Sequence, residues 1–287
     1  MDFRRGWGPR RAAAGVVRRT RVPVAMIRVG VFGAAGRMGT AVCRAVASDP
    51  ELELVAAVDP LHSGLDLPQV TGLNAAPIAI GADAKNLSDA GAEVAVDFTH
   101  LDASRTNVAW CAANGVHAVV GTTGWSPEDL DTMATLFIQS NCFVAPNFAI
   151  GAVLMMRFAE LAAPWFETTE IIEFHHDAKV DAPSGTSVLT AERIAAASSR
   201  WAPDPTTREV ISGTRGGNGP GGIPIHSVRM RGMVAHQEVL FGTTGQSLTI
   251  RHDSYDRASF MPGVLLAVKA VATRPGVTIG LDRLLDL

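Results

Sequence analysis

The stretch I-R-V-G-V-F-G-A-A-G-R-M-G, residues 27–39, decides the fold of this chain. Its first six residues are mostly apolar and β-branched and predict a buried strand. The glycines that follow, Gly33, Gly36 and Gly39, form a G-x-x-G-x-x-G turn, and residues 38–48 predict a helix. In such a unit the glycines let the backbone approach a pyrophosphate, which the helix N-terminus stabilises electrostatically. The stretch therefore predicts the first strand and helix of a dinucleotide-binding domain.

An acidic residue stands where a dinucleotide-binding domain uses one. Asp59 follows Gly39 by 20 residues, at the end of the second predicted strand, residues 52–58. An acid at this place accepts hydrogen bonds from the adenosine ribose. A turn that merely packs a helix on a strand does not explain such an acid, so the two features together favour NADH or NADPH binding. Pro60 offers no charge to a 2′-phosphate, whereas Arg37 does, and the residues leave both cofactors open.

The first part of the chain alternates short strands with helices. Apolar runs predict further strands at 93–98, 116–120 and 142–145, and helices are predicted at 104–113 and 127–139. Strand–helix alternation of this length implies right-handed crossovers and a parallel sheet. The part of the chain before residue 148 is therefore predicted to form a doubly wound, Rossmann-like domain.

The rest of the chain has a different pattern. The predicted elements are helices at 149–163, 184–199 and 258–273, and strands at 170–175, 223–230, 234–241 and 247–252. Residues 201–222 are rich in Gly and Pro and predict a mobile loop. The three long strands after this loop are separated by turn residues, so we predict an antiparallel or mixed sheet in a second domain.

Charge is distributed unevenly along the 287 residues. Residues 1–25 carry seven Arg against one Asp, which leaves 18 Lys and Arg against 27 Asp and Glu in the remainder. An acidic body argues against nucleic-acid binding. The longest uncharged apolar run, residues 148–156, is too short to cross a membrane. We interpret residues 1–25, which show no hydrophobic period, as a disordered basic extension that takes no part in the fold.

Three cysteines, Cys43, Cys111 and Cys142, lie far apart in apolar stretches. They show neither C-x-x-C nor Cys/His ligand spacing, so neither a disulfide framework nor a zinc site is predicted. Buried free thiols fit a reducing compartment. We therefore expect a cytoplasmic protein that holds no metal.

The stretch E-F-H-H-D-A-K-V-D-A-P-S-G-T, residues 173–186, is the most informative one after the glycine turn. His175, His176 and Lys179 lie between the end of a predicted strand and the start of a helix. Residues 184–186 put hydroxyls and backbone N–H groups at that helix start, where an anion binds. A solvated polar turn would explain either histidine alone, but not the cluster beside an anion site. The cluster favours a site that binds a carboxylate-bearing substrate and transfers protons.

Five motifs occur in order along the chain: G-A-A-G-R-M-G (33–39), D-F-T-H (97–100), G-T-T-G (121–124), A-P-N-F (145–148) and the 173–186 stretch. Together with V-A-H-Q-E-V-L-F-G (234–242) and the closing L-D-L, they resemble the 4-hydroxy-tetrahydrodipicolinate reductases, formerly dihydrodipicolinate reductases, of bacterial lysine and diaminopimelate synthesis. The likeness covers residues 26–287, and the 173–186 motif is highly specific.

The resemblance implies an α/β homotetramer with two domains. Residues 26–147 would form the Rossmann-like dinucleotide-binding domain, and residues 148–255 an inserted α+β domain with a mixed sheet. The inserted domain would bind a small cyclic dicarboxylate and form the tetramer. Within residues 256–287, a C-terminal helix would return to the dinucleotide-binding domain.

The resemblance also implies roles for individual residues. His175 would be the acid/base and Lys179 the second proton donor. The groups implied to hold the substrate are His176, Ser184, Gly185 and Thr186. The residues implied to line the NADH or NADPH site are Gly33, Ala34, Ala35, Gly36, Arg37, Met38, Asp59, Phe98, Thr99, Gly121, Thr122, Thr123, Ala145, Pro146, Asn147 and Phe148.

The implied reaction is the NAD(P)H-dependent reduction of 4-hydroxy-tetrahydrodipicolinate to tetrahydrodipicolinate with loss of water. This chain departs from many relatives in having Pro60, where they place Arg after the ribose-binding acid, so a strict NADPH preference is not implied. One alternative is another Rossmann-type NAD(P)-dependent dehydrogenase, against which the 173–186 motif speaks. The other is a dinucleotide-sensing protein without turnover, which would tolerate the loss of His175 and Lys179.

Overall fold

The structure is a computed structural model that describes residues 25–75 and 77–285. Apart from Ala25, the predicted basic extension lies outside these residues. The described strands are β1 (Ile27–Phe32), β2 (Leu52–Val58), β3 (Ile80–Gly81), β4 (Val94–Asp97), β5 (His117–Val120), β6 (Cys142–Val144), β7 (Thr168–His175), β8 (Gly217–Asn218), β9 (Pro224–Arg229), β10 (Ala235–Thr243), β11 (Gln246–Ser254) and β12 (Val277–Ile279).

The helices complete this description. They are α1 (Arg37–Ser48), α2 (Leu67–Thr71), α3 (Lys85–Asp89), α4 (Leu101–Ala113), α5 (Pro127–Leu136), α6 (Ile150–Ala162), α7 (Gly185–Ala197) and α8 (Met261–Ala270). No helix in the described part of the chain is long and apolar enough to span a membrane.

Seven of the described strands form one parallel sheet in the order β12-β6-β5-β4-β1-β2-β3. Its strands are apolar on both faces because helices cover both sides. In β1, Val31 belongs to a buried cluster with Val42 of α1, whereas the next residue, Phe32, belongs to a second cluster with Val108 of α4. The carboxyl ends of these strands therefore form one edge at which loops meet, as in other open α/β sheets.

The second sheet has five strands in the order β11-β10-β7-β9-β8. It is mixed, because β7 pairs antiparallel with β10 and parallel with β9. One face carries Ile171 and Val239, which are fully buried in one cluster with Ile194 of α7 and Met155 of α6. The predicted α/β class, with a Rossmann-like sheet and a second mixed sheet, is confirmed.

The end of the chain packs on the first sheet. Helix α8 lies against α1, and β12 adds an edge strand beside β6. The prediction of one continuous helix over 258–273 is wrong in detail, because 3-10 turns at Arg257–Phe260 and Val271–Thr273 flank α8. Pro262 in its first turn fixes the start of the α-helix.

Other differences concern boundaries and short elements. Helix α5 ends three residues before its predicted end, since Phe137 leaves the helix and turns into the core. The elements β3, α2, α3 and β12 are too short to produce a readable hydrophobic period, and none of them was predicted. Residues 201–222 contain β8 and one 3-10 turn at Pro220–Gly222, and their mobility stays a prediction.

Candidate active site

The glycine turn is hydrogen-bonded to the end of β2 and leads into helix α1. Gly33 has a φ of +67°, a backbone conformation that favours glycine, and its N–H donates to the Val58 carbonyl at 2.8 Å. A Cβ on Gly39 would lie 2.0 Å from the Gly33 oxygen, so only glycine lets the helix approach so closely. No side chain in the described part of the chain caps the helix at Gly36. The first N–H groups of α1 are thus left for an anion such as a pyrophosphate.

Asp59 is held at this turn from the end of β2. The residue is buried, with 8% of its surface exposed. One carboxylate oxygen accepts the Ala35 N–H at 3.3 Å, and the other accepts the Leu61 N–H at 3.2 Å and lies 3.0 Å from Nδ1 of His62. The carboxylate therefore borders the glycine turn, where a ribose hydroxyl would meet it.

A cavity of about 940 Å³ lies beside these groups. Its lining includes Gly33, Gly36, Asp59, Phe98, Thr99 and Lys85. Lys85, at the start of α3, is a cation that was not among the predicted site residues, because α3 itself was not predicted. Arg37, the predicted partner of a 2′-phosphate, is exposed and does not line this cavity.

The loops after β4 and β5 are joined through a buried carboxylate, Asp97, which is 2% exposed. Its Oδ1 accepts hydrogen bonds from the Thr99 N–H at 3.0 Å and from the hydroxyls of Thr99 and Thr122, both at 2.8 Å. Asn107 donates to the other oxygen at 2.7 Å. The D-F-T-H motif contains Asp97, but no role was predicted for it. The threonines that follow β4 and β5, Thr99 and Thr122, are the signal that could have indicated one.

An aromatic contact shapes the same region. A Cβ on Gly121 would lie 2.1 Å from the Phe98 ring, which therefore covers that glycine. The Phe98 ring centre is 5.8 Å from that of the buried Phe148. Thr123 is exposed, and Ala145 is buried. The structure thus brings most of the predicted cofactor residues to the carboxyl edge of the parallel sheet.

A second, smaller cavity of about 200 Å³ is lined by several of the remaining predicted site residues. Its lining residues are Pro146, Asn147, Ala152, Met155, His175, Ser184, Thr186, Ala235, His236, Gln237, His252, Ser254 and Phe260. They come from the loop after β6, from α6, from the start of α7, from β7, β10 and β11, and from the 3-10 turn before α8. The cavity therefore lies where the edge of the parallel sheet meets the mixed sheet.

His175 enters this cavity from the end of β7 and is tied to a buried acid. Its Nδ1 is hydrogen-bonded to Glu173, which is 0% exposed. Arg229 of β9 donates to both Glu173 oxygens, at 2.8 and 2.9 Å. Burial alone would raise the pKa of Glu173, but the hydrogen bonds from His175 and Arg229 outweigh it and lower that pKa to about 2. Glu173 and Arg229 were not among the predicted site residues.

The two predicted groups in the segment after β7 lie outside the small cavity. Lys179 is paired with Asp181, with its Nζ 2.7 and 2.8 Å from the two carboxylate oxygens, and the hydrogen bond from Lys179 lowers the pKa of Asp181. His176 is exposed, and neither it nor Lys179 lines the cavity. Both lie in the segment 176–183, which follows β7 and contains neither helix nor strand.

The start of α7 lies against the cavity. Ser184 caps the helix by accepting the Ser187 N–H at 3.2 Å, so its hydroxyl is committed to the helix. Thr186 receives a hydrogen bond from the Asn147 amide at 3.3 Å. Gly185 is exposed, and its N–H belongs to the first turn of the helix. The helix start thus offers backbone donors and the Thr186 hydroxyl to an anion.

Two further histidines line the small cavity and were not predicted. His236 is 5% exposed, its Nδ1 lies 2.7 Å from Asp253, and its Nε2 accepts the Val234 N–H at 3.2 Å. Burial lowers the pKa of His252, which favours its neutral form. The V-A-H-Q-E-V-L-F-G motif contained His236, but its role depends on a strand pairing that the sequence does not display.

A Rossmann-like sheet with an open glycine turn, an acid beside that turn and an adjoining histidine cavity is typical of an oxidoreductase that uses a nicotinamide dinucleotide. Comparisons with known proteins identify the family of oxidoreductases to which the chain belongs. The family models for "Dihydrodipicolinate reductase, N-terminus" and "Dihydrodipicolinate reductase, C-terminus" match residues 27–148 and 151–285. The chain belongs to the dihydrodipicolinate reductase family.

Individual relatives agree. The chain is 51% identical over 269 residues to the 4-hydroxy-tetrahydrodipicolinate reductase of Corynebacterium urealyticum, with 91% of this chain and 100% of the relative covered. It is 49% identical over 268 residues to the enzyme of that name from Nocardia farcinica, with 91% and 99% covered. A dipicolinate-bound dihydrodipicolinate reductase from Paenisporosarcina sp. TG-14 superposes with a TM-score of 0.79 at 41% identity, with 90% and 99% covered.

Proposed function

We propose that this chain reduces 4-hydroxy-tetrahydrodipicolinate to tetrahydrodipicolinate in the diaminopimelate route to L-lysine. The reaction consumes one NADH or NADPH and one proton, and it releases one water. The observation that carries the proposal is the small cavity, which brings His175 and the start of α7 beside Asn147 at the edge of the nucleotide-binding sheet. His175 in one wall can transfer a proton, and the start of α7 in another can bind a carboxylate.

The residues at the carboxyl edge of the parallel sheet fit the cofactor. The uncapped start of α1 suits a pyrophosphate, and Asp59 beside the glycine turn suits a ribose. Lys85, in the same cavity, offers charge to a 2′-phosphate. These groups support the use of both cofactors. The nicotinamide, when bound, supplies the hydride, and the protein positions the substrate and moves protons.

His175 is the acid/base of this proposal. It is the histidine at the cavity that is hydrogen-bonded to a buried carboxylate, and it lies at a strand end, which fixes its backbone. As an acid it would give its proton to the departing 4-hydroxyl, which leaves as water. As a base it would recover the proton that the neighbouring ring carbon loses in this elimination, and it would return that proton to the ring once the hydride has been added. General acid–base help of this kind contributes about 10²–10⁴-fold to the rate.

Lys179 is the second proton donor of the proposal, and it requires a rearrangement. The Lys179 ion pair has an exposed partner, since the Asp181 side chain is 59% exposed. Such pairs contribute only about 0–1 kcal/mol. Substrate carboxylates that contact His176 and the start of α7 would draw the segment 176–183 toward the cavity and release Lys179 from Asp181 at little cost. Domain or loop closure of this kind also excludes water.

We further propose that four copies assemble and that the enzyme works in the cytoplasm. Strand β11 is nine residues long, forms an edge of the mixed sheet, and is exposed over residues 246–249. An open edge of this kind presents unpaired backbone N–H and C=O groups that can pair with another chain. The three free cysteines are buried, as expected in a reducing compartment. Light scattering should give four times the 30.2 kDa chain mass.

The activity is tested with the condensation product of pyruvate and aspartate semialdehyde. The purified protein, mixed with this compound and NADH or NADPH, should consume the cofactor, which is followed by its absorbance. The product should be tetrahydrodipicolinate by mass spectrometry. Cofactor binding without any turnover would contradict the proposal and favour a dinucleotide-sensing protein.

A further inference from the structure

Glu173 occupies the most enclosed position of any acid next to the small cavity. It lies on the central strand β7, opposite Gln237 of β10 and Ser227 of β9, so strands flank it on both sides. Its side chain is 0% exposed. His175 lies two residues further on the same face of β7, because successive side chains alternate across a strand. The acid and the histidine are therefore neighbours by the geometry of the strand itself.

The carboxylate of Glu173 is ionised in this position. A buried carboxylate without partners would be strongly disfavoured. Arg229, which pairs with His175 in the register of β9, donates to both Glu173 oxygens and balances the charge. Arg229 also donates to the Asp181 carbonyl at 2.7 Å. Because Asp181 lies in the segment 176–183, a movement of that segment would affect the Glu173–Arg229 ion pair. An ionised carboxylate only accepts hydrogen bonds, so His175 is the donor through Nδ1.

We propose that Glu173 is a positioning residue for His175: it fixes the proton on Nδ1 and thereby presents Nε2 to the substrate cavity. The role of Glu173 in turnover rests on the proposed function, because it acts through the acid/base His175. Loss of the Glu173 carboxylate frees the ring to rotate and to change tautomer. It also removes the negative charge that stabilises the protonated ring.

The other charged groups near His175 do not replace this contact. On β10, His236 has both ring nitrogens engaged, by Asp253 and by the Val234 N–H. On β11, His252 is held toward its neutral form by burial. In the segment 176–183, Lys179 is paired with Asp181. Among the described residues, Glu173 is the one acid hydrogen-bonded to the His175 ring.

The chain contains a matched control on the opposite face of the same strand. Glu170 of β7 lies 2.6 Å from a nitrogen of Arg215 and 2.8 Å from Nε2 of His226. It is thus also a carboxylate between an arginine and a histidine. It lines neither the cavity of about 940 Å³ beside the glycine turn nor the small cavity. Glu170→Gln therefore removes the same kind of charge from the sheet without touching the His175 ring.

The first test reads the tautomer directly and needs no turnover. Protein labelled with ¹⁵N-histidine is measured by long-range ¹H–¹⁵N NMR near neutral pH, and His175→Ala assigns the signals. We expect His175 to carry its neutral-form proton on Nδ1 in the wild type and in Glu170→Gln, and to populate the Nε2–H form in Glu173→Gln. A wild-type His175 protonated mainly on Nε2 would overturn the proposal, even if Glu173→Gln failed to fold.

The second test measures kcat and the pH profile of kcat/KM. Glu173→Gln should lower kcat by about 10–100-fold, within the range of acid–base assistance, and leave the Kd for NADH unchanged. The alkaline limb of the profile should move to lower pH, because the protonated ring loses its anionic partner. Arg229→Gln should move the same limb to higher pH, because Glu173 then faces His175 without a balancing cation. Glu170→Gln should leave the limb in place.

Failure of this inference is distinguishable from failure of the proposed function. A wild type that never turns over the substrate contradicts the function and leaves the tautomer result standing. An active wild type whose pH profile is unchanged in both Glu173→Gln and Arg229→Gln overturns the inference and leaves the function standing.

Discussion

The Asn147 side-chain amide donates a hydrogen bond to the Thr186 hydroxyl across 3.3 Å and so joins the loop after β6 to the start of α7. The carbonyl of the same side chain accepts the Ala149 N–H at 2.8 Å, just before α6 begins. One side chain therefore connects the nucleotide-binding sheet with both helices that pack on the mixed sheet. Because Asn147 and Thr186 also line the small cavity, this link holds two walls of the proposed substrate site together.

The link between Asn147 and Thr186 is measurable by a double-mutant cycle. Asn147→Ala should lower the free energy of unfolding by about 1–2 kcal/mol, since it removes two hydrogen bonds, and Thr186→Val by about 1 kcal/mol. The double variant should destabilise less than the sum of the two, with a coupling of about 0.5–1 kcal/mol. Urea denaturation followed by circular dichroism gives these values. Strict additivity would mean that the contact contributes nothing.

Variants of the two proposed proton-transfer groups should lose turnover but keep cofactor binding. His175→Ala and Lys179→Ala should each lower kcat by about 10²-fold or more, while the Kd for NADH, measured by fluorescence titration, stays within about twofold. Lys269→Ala is the control. Lys269 lies on α8, and its Nζ is 2.9 Å from a carboxylate oxygen of Asp49. It lines neither of the two cavities. A loss of cofactor binding in His175→Ala would show that the roles are assigned wrongly.

Asp97 should act on the cofactor site rather than on the substrate site. Asp97→Asn replaces an acceptor of hydrogen bonds from Thr99 and Thr122 by a group that must also donate. We expect the Kd for NADH to rise by about tenfold, from about 1–3 kcal/mol of lost or misaligned hydrogen bonds. Asp102→Asn, whose side chain is 88% exposed at the start of α4, should leave that Kd unchanged. An unchanged Kd in Asp97→Asn would assign the carboxylate to folding alone.

Cofactor preference should depend more on Lys85 than on Arg37. Lys85→Ala is expected to weaken NADPH binding by about 1.4- to fivefold relative to NADH, because an exposed ion pair contributes about 0.2–1 kcal/mol. Arg37→Ala should change the NADPH-to-NADH ratio less, since Arg37 does not line the cavity. Parallel titrations with the two cofactors measure the ratios. A larger effect of Arg37→Ala would restore the assignment that the sequence alone suggested.

The parallel sheet and the glycine turn were predictable because their signals are local. A buried strand, three glycines and an acid at fixed spacing are determined by backbone geometry within one strand–helix unit, and the structure places Gly33, Gly39 and Asp59 accordingly. The helix start at Ser184 was predictable for the same reason, since a serine cap is a local contact.

The support of the site was not predictable, because it depends on pairing between distant strands. Arg229 reaches Glu173 across 56 positions in the sequence, and His236 reaches Asp253 across 17. Neither partner has a pattern that distinguishes it from an ordinary surface charge on a strand. Lys179 shows the opposite case: its motif was clear, yet its position is determined by a nearby ion pair with Asp181.

Glu173 should also make stability depend on acid pH. Its pKa in the folded chain is about 2, below the usual value of 4.5, so the folded state holds fewer protons there than the unfolded state. The stabilisation is fully present above about pH 5, and it is lost as the pH falls toward 2, with a total of about 3 kcal/mol for this shift. Glu173→Gln cannot titrate, so its unfolding free energy should fall less than that of the wild type between pH 5 and 2.5. Urea denaturation at several pH values measures how the unfolding free energy of each protein changes with pH. The same pH dependence in both proteins would show that protonation of Glu173 does not cause the loss of stability in acid.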